Sequence, residues 1–376
     1  MVELALNGVN RRHPCPPATP SFTLRTVAHV ASQGYILPTE LVHSMRNRID
    51  ILIVAALTAT LVGVIGVGCA SRTSSNIKGV DRYVKAVQAY NAGDRDRAVA
   101  NLIAATRANP DLIMARLMLG DLYREGGDYN QAVVQYEHLV KLDPYTWSNF
   151  YKLGVTYQFL ERLQEAADSY HHALKLNPED PNSNMNLGLV YLYLGNPDDA
   201  VKFTERATLL DPKSAAAFSN LGVALDARGD YVRGEAAYRH SLDLDADNAT
   251  TLLNLGTNLI QQNKGAEAVD IMERVVNMDN KPLHRKRYGD ALAKAGRFDE
   301  AVQQFEEALK LDPKYYPAMN EIGWTRIAEY KNNLELDDSK REQAIGMWNQ
   351  SLNVRPDQPK IKAAMDQYSN KEALTR

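Results

Sequence analysis

The chain is poor in the residues on which most small-molecule chemistry depends. Only two cysteines, Cys15 and Cys69, occur in 376 residues, so the body of the protein has no disulfide framework and no cysteine-based zinc or redox centre. It carries no glycine-rich phosphate loop, nucleophile elbow or metal-ligand spacing above chance. His171 and His172 are adjacent, so on a helix they point to different sides and read as exposed surface rather than as a shared metal site. Net charge is only −3, from 43 basic and 46 acidic side chains, which gives no electrostatic case for nucleic acid. The one basic cluster, His284-Arg285-Lys286-Arg287 behind Lys281, reads as a solvated helix start. These gaps turn the functional question from catalysis to recognition, and predict a chain that is not an enzyme and needs no cofactor.

What is present is a period. Gly120, Gly154, Gly188, Gly222, Gly256, Gly289 and Gly323 follow one another at 34, 34, 34, 34, 33 and 34 residues. Ala98, Ala132, Ala166, Ala200, Ala268 and Ala301 keep the same beat, with Gly234 where an alanine is due. Pro110, Pro144, Pro178, Pro212, Pro313 and Pro356 close the units, and Ala246 and Asn280 replace the proline in the fifth and sixth. Self-similarity at such a period means a solenoid whose units pack mainly on their neighbours. In the unit 147–180, Phe150, Leu153, Gly154 and Tyr157 lie on one helical face, and Ala166, Tyr170 and Ala173 on another. Pro178 then stops the chain, because it lacks an N–H and pushes Asn177 out of the helical region. Gly154 and Ala166 let the paired helices approach, while Tyr157 and Tyr170 fill the space between successive hairpins. Gly127-Asp128 and Gly229-Asp230 predict turns in which glycine ends the first helix and aspartate caps the second.

The residues Leu119-Gly120-Tyr123-Ala132-Tyr136-Pro144 and Leu187-Gly188-Tyr191-Ala200-Ala207-Pro212 resemble the tetratricopeptide repeat (TPR) signature. The resemblance implies an all-α, right-handed superhelical solenoid of about eight helix hairpins, 79–112, 113–146, 147–180, 181–214, 215–248, 249–281, 282–315 and 316–358, with a capping helix in 359–376. The first unit keeps Gly93, Ala98, Leu102, Ala105 and Pro110 but lacks Leu-Gly, as a capping unit would. In the last, Gly323 and Ala344 are 21 residues apart where other units use 12, so nine extra residues lengthen helices or form a loop. Ile361, Met365 and Tyr368 recur near helical spacing, as expected of a helix covering the open end. The proline-free turns at Ala246 and Asn280 are expected to be looser.

Ahead of the repeats, Ile51–Val67 is a charge-free run of 17 residues, at the short end of what spans a bilayer. Met45-Arg46-Asn47-Arg48 precedes it and Gly66-Val67-Gly68-Cys69 follows. Three readings stand: an uncleaved membrane anchor, a buried helix, or a signal in 45–69 with translation starting at Met45 and 1–44 not translated. In the third, the box before Cys69 resembles that of bacterial lipoproteins, which implies lipidation of the Cys69 thiol, although Gly66 stands where that family prefers leucine. Both membrane readings keep Arg46 and Arg48 in the cytoplasm, with a tether at 70–78 and the solenoid outside the inner membrane, in the periplasm. Mass spectrometry of the mature N-terminus separates them: lipidated Cys69 as first residue, or a chain retaining Ile51–Val67.

In TPR proteins the first helix of each hairpin lines the concave groove. Asn186, Asn220 and Asn254 precede Leu-Gly in three successive units. An asparagine can pair with both the N–H and C=O of an extended peptide, and the series resembles the asparagine ladder in the TPR region of protein O-GlcNAc transferases. Solvated side chains are the competing reading. The carboxylate clamp of TPR co-chaperones is matched only in part, by Asn254 followed by Arg287, since Ser219 and Val223 stand where lysine and asparagine are needed. The resemblance to bacterial TPR envelope lipoproteins implies a membrane-attached scaffold that binds a protein or extended peptide and supports assembly of an envelope complex. The alternative is a recognition subunit for a separate enzyme, such as a protein glycosyltransferase.

Overall fold

The computed structural model describes residues 70–333 and 337–369, and all of their regular structure is helical. The run Ile51–Val67, Arg46, Arg48 and Cys69 lie outside the described residues. Among the described residues no helix is long and apolar enough to cross a membrane.

The described residues from 75 onward form one compact unit. Its first hairpin pairs α1 (Ala70–Asn91) with α2 (Arg95–Ala108), its second α3 (Ile113–Glu125) with α4 (Tyr129–Leu142), its third α5 (Trp147–Phe159) with α6 (Leu163–Leu176). The fourth and fifth pair α7 (Pro181–Tyr193) with α8 (Pro197–Leu210), and α9 (Ala215–Arg228) with α10 (Tyr231–Leu244). Then come α11 (Ala249–Gln261) with α12 (Gly265–Met278), α13 (Pro282–Lys294) with α14 (Phe298–Leu311), and α15 (Tyr316–Asn332) with α16 (Asp338–Val354). A single helix, α17 (Pro359–Ser369), follows. The helices α1 and α2 share a core of Ala86, Ala89, Ala98 and Leu102, and from α2 on each helix packs on the next, with further contacts only between adjacent units, as in a helical solenoid.

The repeating glycine is half of a contact made inside each hairpin. A Cβ on Gly154 would lie 2.8 Å from Cε1 of Tyr170, and one on Gly222 2.5 Å from Cε1 of Tyr238. Tyr136 meets Gly120 in the same way, and Phe305 meets Gly289. The fourth and sixth units use Thr204 and Met272 instead, against Gly188 and Gly256. Tyr170 therefore sits within its own hairpin, fully buried, rather than between hairpins as its spacing suggested. Tyr157 does bridge units, its hydroxyl donating to Glu137 Oε1 at 2.6 Å. In the first unit Ala86 replaces the glycine and Leu102 the ring, both fully buried.

The nine extra residues of the last unit go largely into helix. Both α15 and α16 run 17 residues, where α5 and α6 have 13 and 14. Trp348 then reaches back to Gly323 and is itself fully buried. Ile361, Ala364 and Tyr368 of α17 close over Trp348, Ile327 and Ala344, with Met365 half-buried against the same cluster. Arg341 donates to the Tyr368 carbonyl at 2.7 Å and fixes the cap. Of the turns without proline, the fifth keeps the bond of the other units, Asn248 N donating to Asp245 O at 3.4 Å, and adds one from Arg274 to Ala246 O at 3.1 Å, whereas the sixth closes more tightly, with Lys281 N donating to Asp279 O at 3.0 Å. Gly127 and Gly229 take φ of +80 and +86, where L side chains are strained. Asp230 accepts from Arg233 N at 3.4 Å as a cap, whereas Asp128 makes no side-chain cap.

The missing alanine at 234 has a physical cause. The Asp226 carboxylate accepts from Tyr238 Oη at 3.0 Å and from Asn258 Nδ2 at 2.5 Å, joining the fifth and sixth units. A Cβ on Gly234 would collide with Asp226 Oδ1, so only glycine leaves room for this polar bridge. Burial pushes the Asp226 carboxyl up to about 6, against the opposing pull of the bonds from Asn258 and Tyr238. The folded state thus holds the Asp226 proton more tightly than the unfolded chain. That contribution to stability is complete below pH about 4 and is lost as pH rises to about 6. Asp226→Asn keeps an acceptor for Asn258 and lets the phenol accept from the new amide, without a charge to bury. Thermal melts should therefore show the variant gaining on wild type between pH 4 and 6 and staying ahead above it. A difference that does not change with pH would mean that Asp226 titrates at its ordinary value.

Candidate functional site

Which side of the solenoid is available follows from the helix contacts. Along the chain α5 touches α7, α7 touches α9, α9 touches α11, α11 touches α13, and α13 touches α15. Among the described residues no two successive second helices are in comparable contact. Helices that approach across units form the inner layer of a curved stack, so the first helices line the groove.

In three units the residue before the Leu-Gly pair, or its equivalent, bonds back to the preceding first helix. Lys152 places Nζ 2.7 Å from both carboxylate oxygens of Asp121. Asn186 donates to Tyr151 Oη at 3.4 Å. Glu321 accepts from Lys286 Nζ at 2.9 Å. In the fifth and sixth units the helix behind offers no such partner, and Ser219 is taken by the Thr251 hydroxyl at 3.0 Å. Asn220 and Asn254 are half-buried, and their amides bond to nothing among the described residues. The four expected groove residues therefore fall into two classes. Asn220 and Asn254 present unused amides, while Asn186 is tied to Tyr151 and Arg287 lies 3.5 Å from Asp290.

Cavities open along this inner layer, three of them between successive first helices. One of about 250 Å³ lies between α1 and α3 beside Tyr83, Tyr90 and Met114. A second, of about 700 Å³, lies where α5 meets α7 and is lined by Gln158, Phe159, Asn186 and Tyr193. The third, of about 440 Å³, spans α11, α13 and α15 and holds Lys286, Arg287, Asp290, Glu321 and Trp324. In the last, Lys286 binds Asp290 and Glu321 at 2.9 Å each. Burial pushes the Asp290 carboxyl up to about 6, against Lys286 and with the help of the neighbouring Glu321.

The basic cluster is thus paired rather than solvated. Lys281 meets Asp279 at 2.6 Å, and Arg285 donates to Asn280 and Gln304 at 2.8 and 2.7 Å. His171 and His172 are exposed and bond apart, to Tyr191 Oη and to Asp168 O, both at 2.8 Å. Among the described residues no group of histidine, cysteine and carboxylate could hold a metal ion. Phe159 and Tyr193, which no sequence motif marks, are 57% and 71% exposed in the groove. Their 34-residue separation was the available signal.

Comparison with known proteins agrees with this architecture. A tetratricopeptide repeat model matches residues 151–208, 185–249 and 253–316, and a TPR repeat model matches 120–159. The chain resembles the structure of the APC/C hetero-tetramer Cut9–Hcn1, with 14% identity over 73% of this chain and 53% of that one and a TM-score of 0.52. It is 24% identical to YrrB, described as a TPR protein with an unusual peptide-binding site, over 53% of this chain and 99% of that one, with a TM-score of 0.42. It is also 32% identical over 95 residues, 25% of its length, to the probable UDP-N-acetylglucosamine–peptide N-acetylglucosaminyltransferase SPINDLY of Solanum lycopersicum. That match spans 10% of the transferase. With its hairpins in phase and the repeat models matching more than half of its length, the chain belongs to the tetratricopeptide repeat family, whose solenoids serve as scaffolds for protein–protein interaction.

Proposed function

We propose that the chain is a membrane-attached scaffold outside the cytoplasm, which holds an extended segment of a partner protein in its inner groove and supports assembly of an envelope complex. The observation that carries the groove reading is the pair of unbonded amides, Asn220 and Asn254, one unit apart on the inner layer. A peptide backbone offers donors and acceptors that such a pair can satisfy regardless of side-chain sequence. The attachment reading rests on the charge-free run Ile51–Val67 behind Arg46 and Arg48, and on the small residues before Cys69. A second reading, a recognition subunit for a separate glycosyltransferase, is favoured by the 95-residue match to the SPINDLY protein.

The groove is tested with random dodecapeptides displayed on phage and selected on the full chain in detergent. A selected peptide is then synthesised and titrated against wild type and Asn220→Ala/Asn254→Ala. Two lost hydrogen bonds of about 0.5–1.5 kcal/mol each weaken binding about 5- to 150-fold. The melting temperature should barely move, because neither amide holds another part of the fold. Unchanged affinity would make the two asparagines bystanders. A much earlier melt would make them structural.

A further inference from the structure

The hairpin turns follow one rule with two exceptions. Gly127, Gly195, Gly229 and Gly296 occupy the same place in their units with φ between +75 and +86. Glu161 and Asn263 occupy it in the third and sixth units with φ of +57 and +61. Asparagine tolerates the left-handed region, but glutamate gains nothing there that glycine would not give at lower cost. A non-glycine residue held in that region points to a use for its side chain.

The Glu161 carboxylate is exposed, and neither a hydrogen bond nor an ion pair joins it to any described residue. Its neighbour Arg162 is already engaged by Glu165 at 2.9 Å. Glu161 lies on the rim of the 700 Å³ cavity between α5 and α7, with Gln158, Phe159, Asn186 and Tyr193, and no residue lining that cavity carries a positive charge. Phe159 rests one face on Tyr129, with ring centroids 4.6 Å apart and planes 2° from parallel. Tyr193 stacks on no ring among the described residues. Ring faces are electron-rich and attract cations, and an unpaired carboxylate does the same more strongly.

We propose that this cavity is a subsite for a cationic side chain, lysine or arginine, of the peptide segment lying in the groove. The inference rests on the groove reading given above. An aliphatic side chain of similar length would cover the rings but strip water from the Glu161 carboxylate without replacing it, which is unfavourable. A cation satisfies the carboxylate and the rings together.

Dodecapeptide selection on the full wild-type chain and on Glu161→Gln tests the subsite. Wild type should enrich lysine or arginine at one place in the peptides, and Glu161→Gln should not. In a synthetic selected peptide, norleucine in place of the basic residue should weaken binding to wild type about three- to tenfold, and to Glu161→Gln by less than about twofold. Glu161→Gly separates backbone from side chain: it should raise the melting temperature and still lose the basic preference. Peptides that lose affinity with Asn220→Ala/Asn254→Ala but show no basic preference, or the same preference on Glu161→Gln, overturn the subsite alone. Peptides indifferent to the two asparagines overturn the groove reading, and the subsite with it.

Discussion

Everything in this solenoid depends on the close approach of the two helices within each hairpin. That approach is set by a glycine on the first helix receiving a large side chain from the second, as Gly154 receives Tyr170 and Gly222 receives Tyr238. The partners are 16 residues apart in both of these units, and 25 apart where Trp348 meets Gly323. A side chain at the glycine would push the axes apart, and overpacking of this kind typically costs about 1–3 kcal/mol. Because the contact recurs at a fixed place, each hairpin presents the same two faces, and the stack grows in one direction. The inner layer, with its row of residues before Leu-Gly, is a consequence of that regularity.

The period, the helix pairs and the capping helix were legible in the sequence because several independent residue types keep one phase. Much of the detail was not. Gly234 reads as a lapse in the alanine series until Asp226 and Asn258 are seen meeting beside it. Asn186, Asn220 and Asn254 look equivalent in the sequence, yet only Asn186 finds a partner, because Tyr151 stands behind it and nothing similar stands behind the other two. Arg287 looked available, and Asp290 lies beside it. Phe159 and Tyr193 do not stand out in the sequence because an aromatic residue on a helix is ordinarily core, whereas these two are the last residues of α5 and α7 and are exposed.

The groove is chemically uneven along its length. Tyrosine and methionine side chains line its first part, exposed aromatic rings with the Glu161 carboxylate its middle, and unused amides follow at Asn220 and Asn254. Beyond them lies the paired charge cluster of Lys286, Asp290 and Glu321. Backbone-directed amides next to side-chain-directed cavities suit a segment held by its main chain and selected by a few residues. Shared repeat geometry builds the surface, and the departures from the repeat make it chemically uneven.

The central claim is that recognition takes place on the inner layer of first helices. Site-specific photo-crosslinking in whole cells addresses it most directly, with a photoreactive residue placed at 220, at 254, or at 209 on the second helix α8. Leu209 is 74% exposed and not part of the inner layer. A partner protein crosslinked from 220 and 254 but not from 209 is the predicted result. The same partner crosslinked from 209 and from neither inner position would contradict the account.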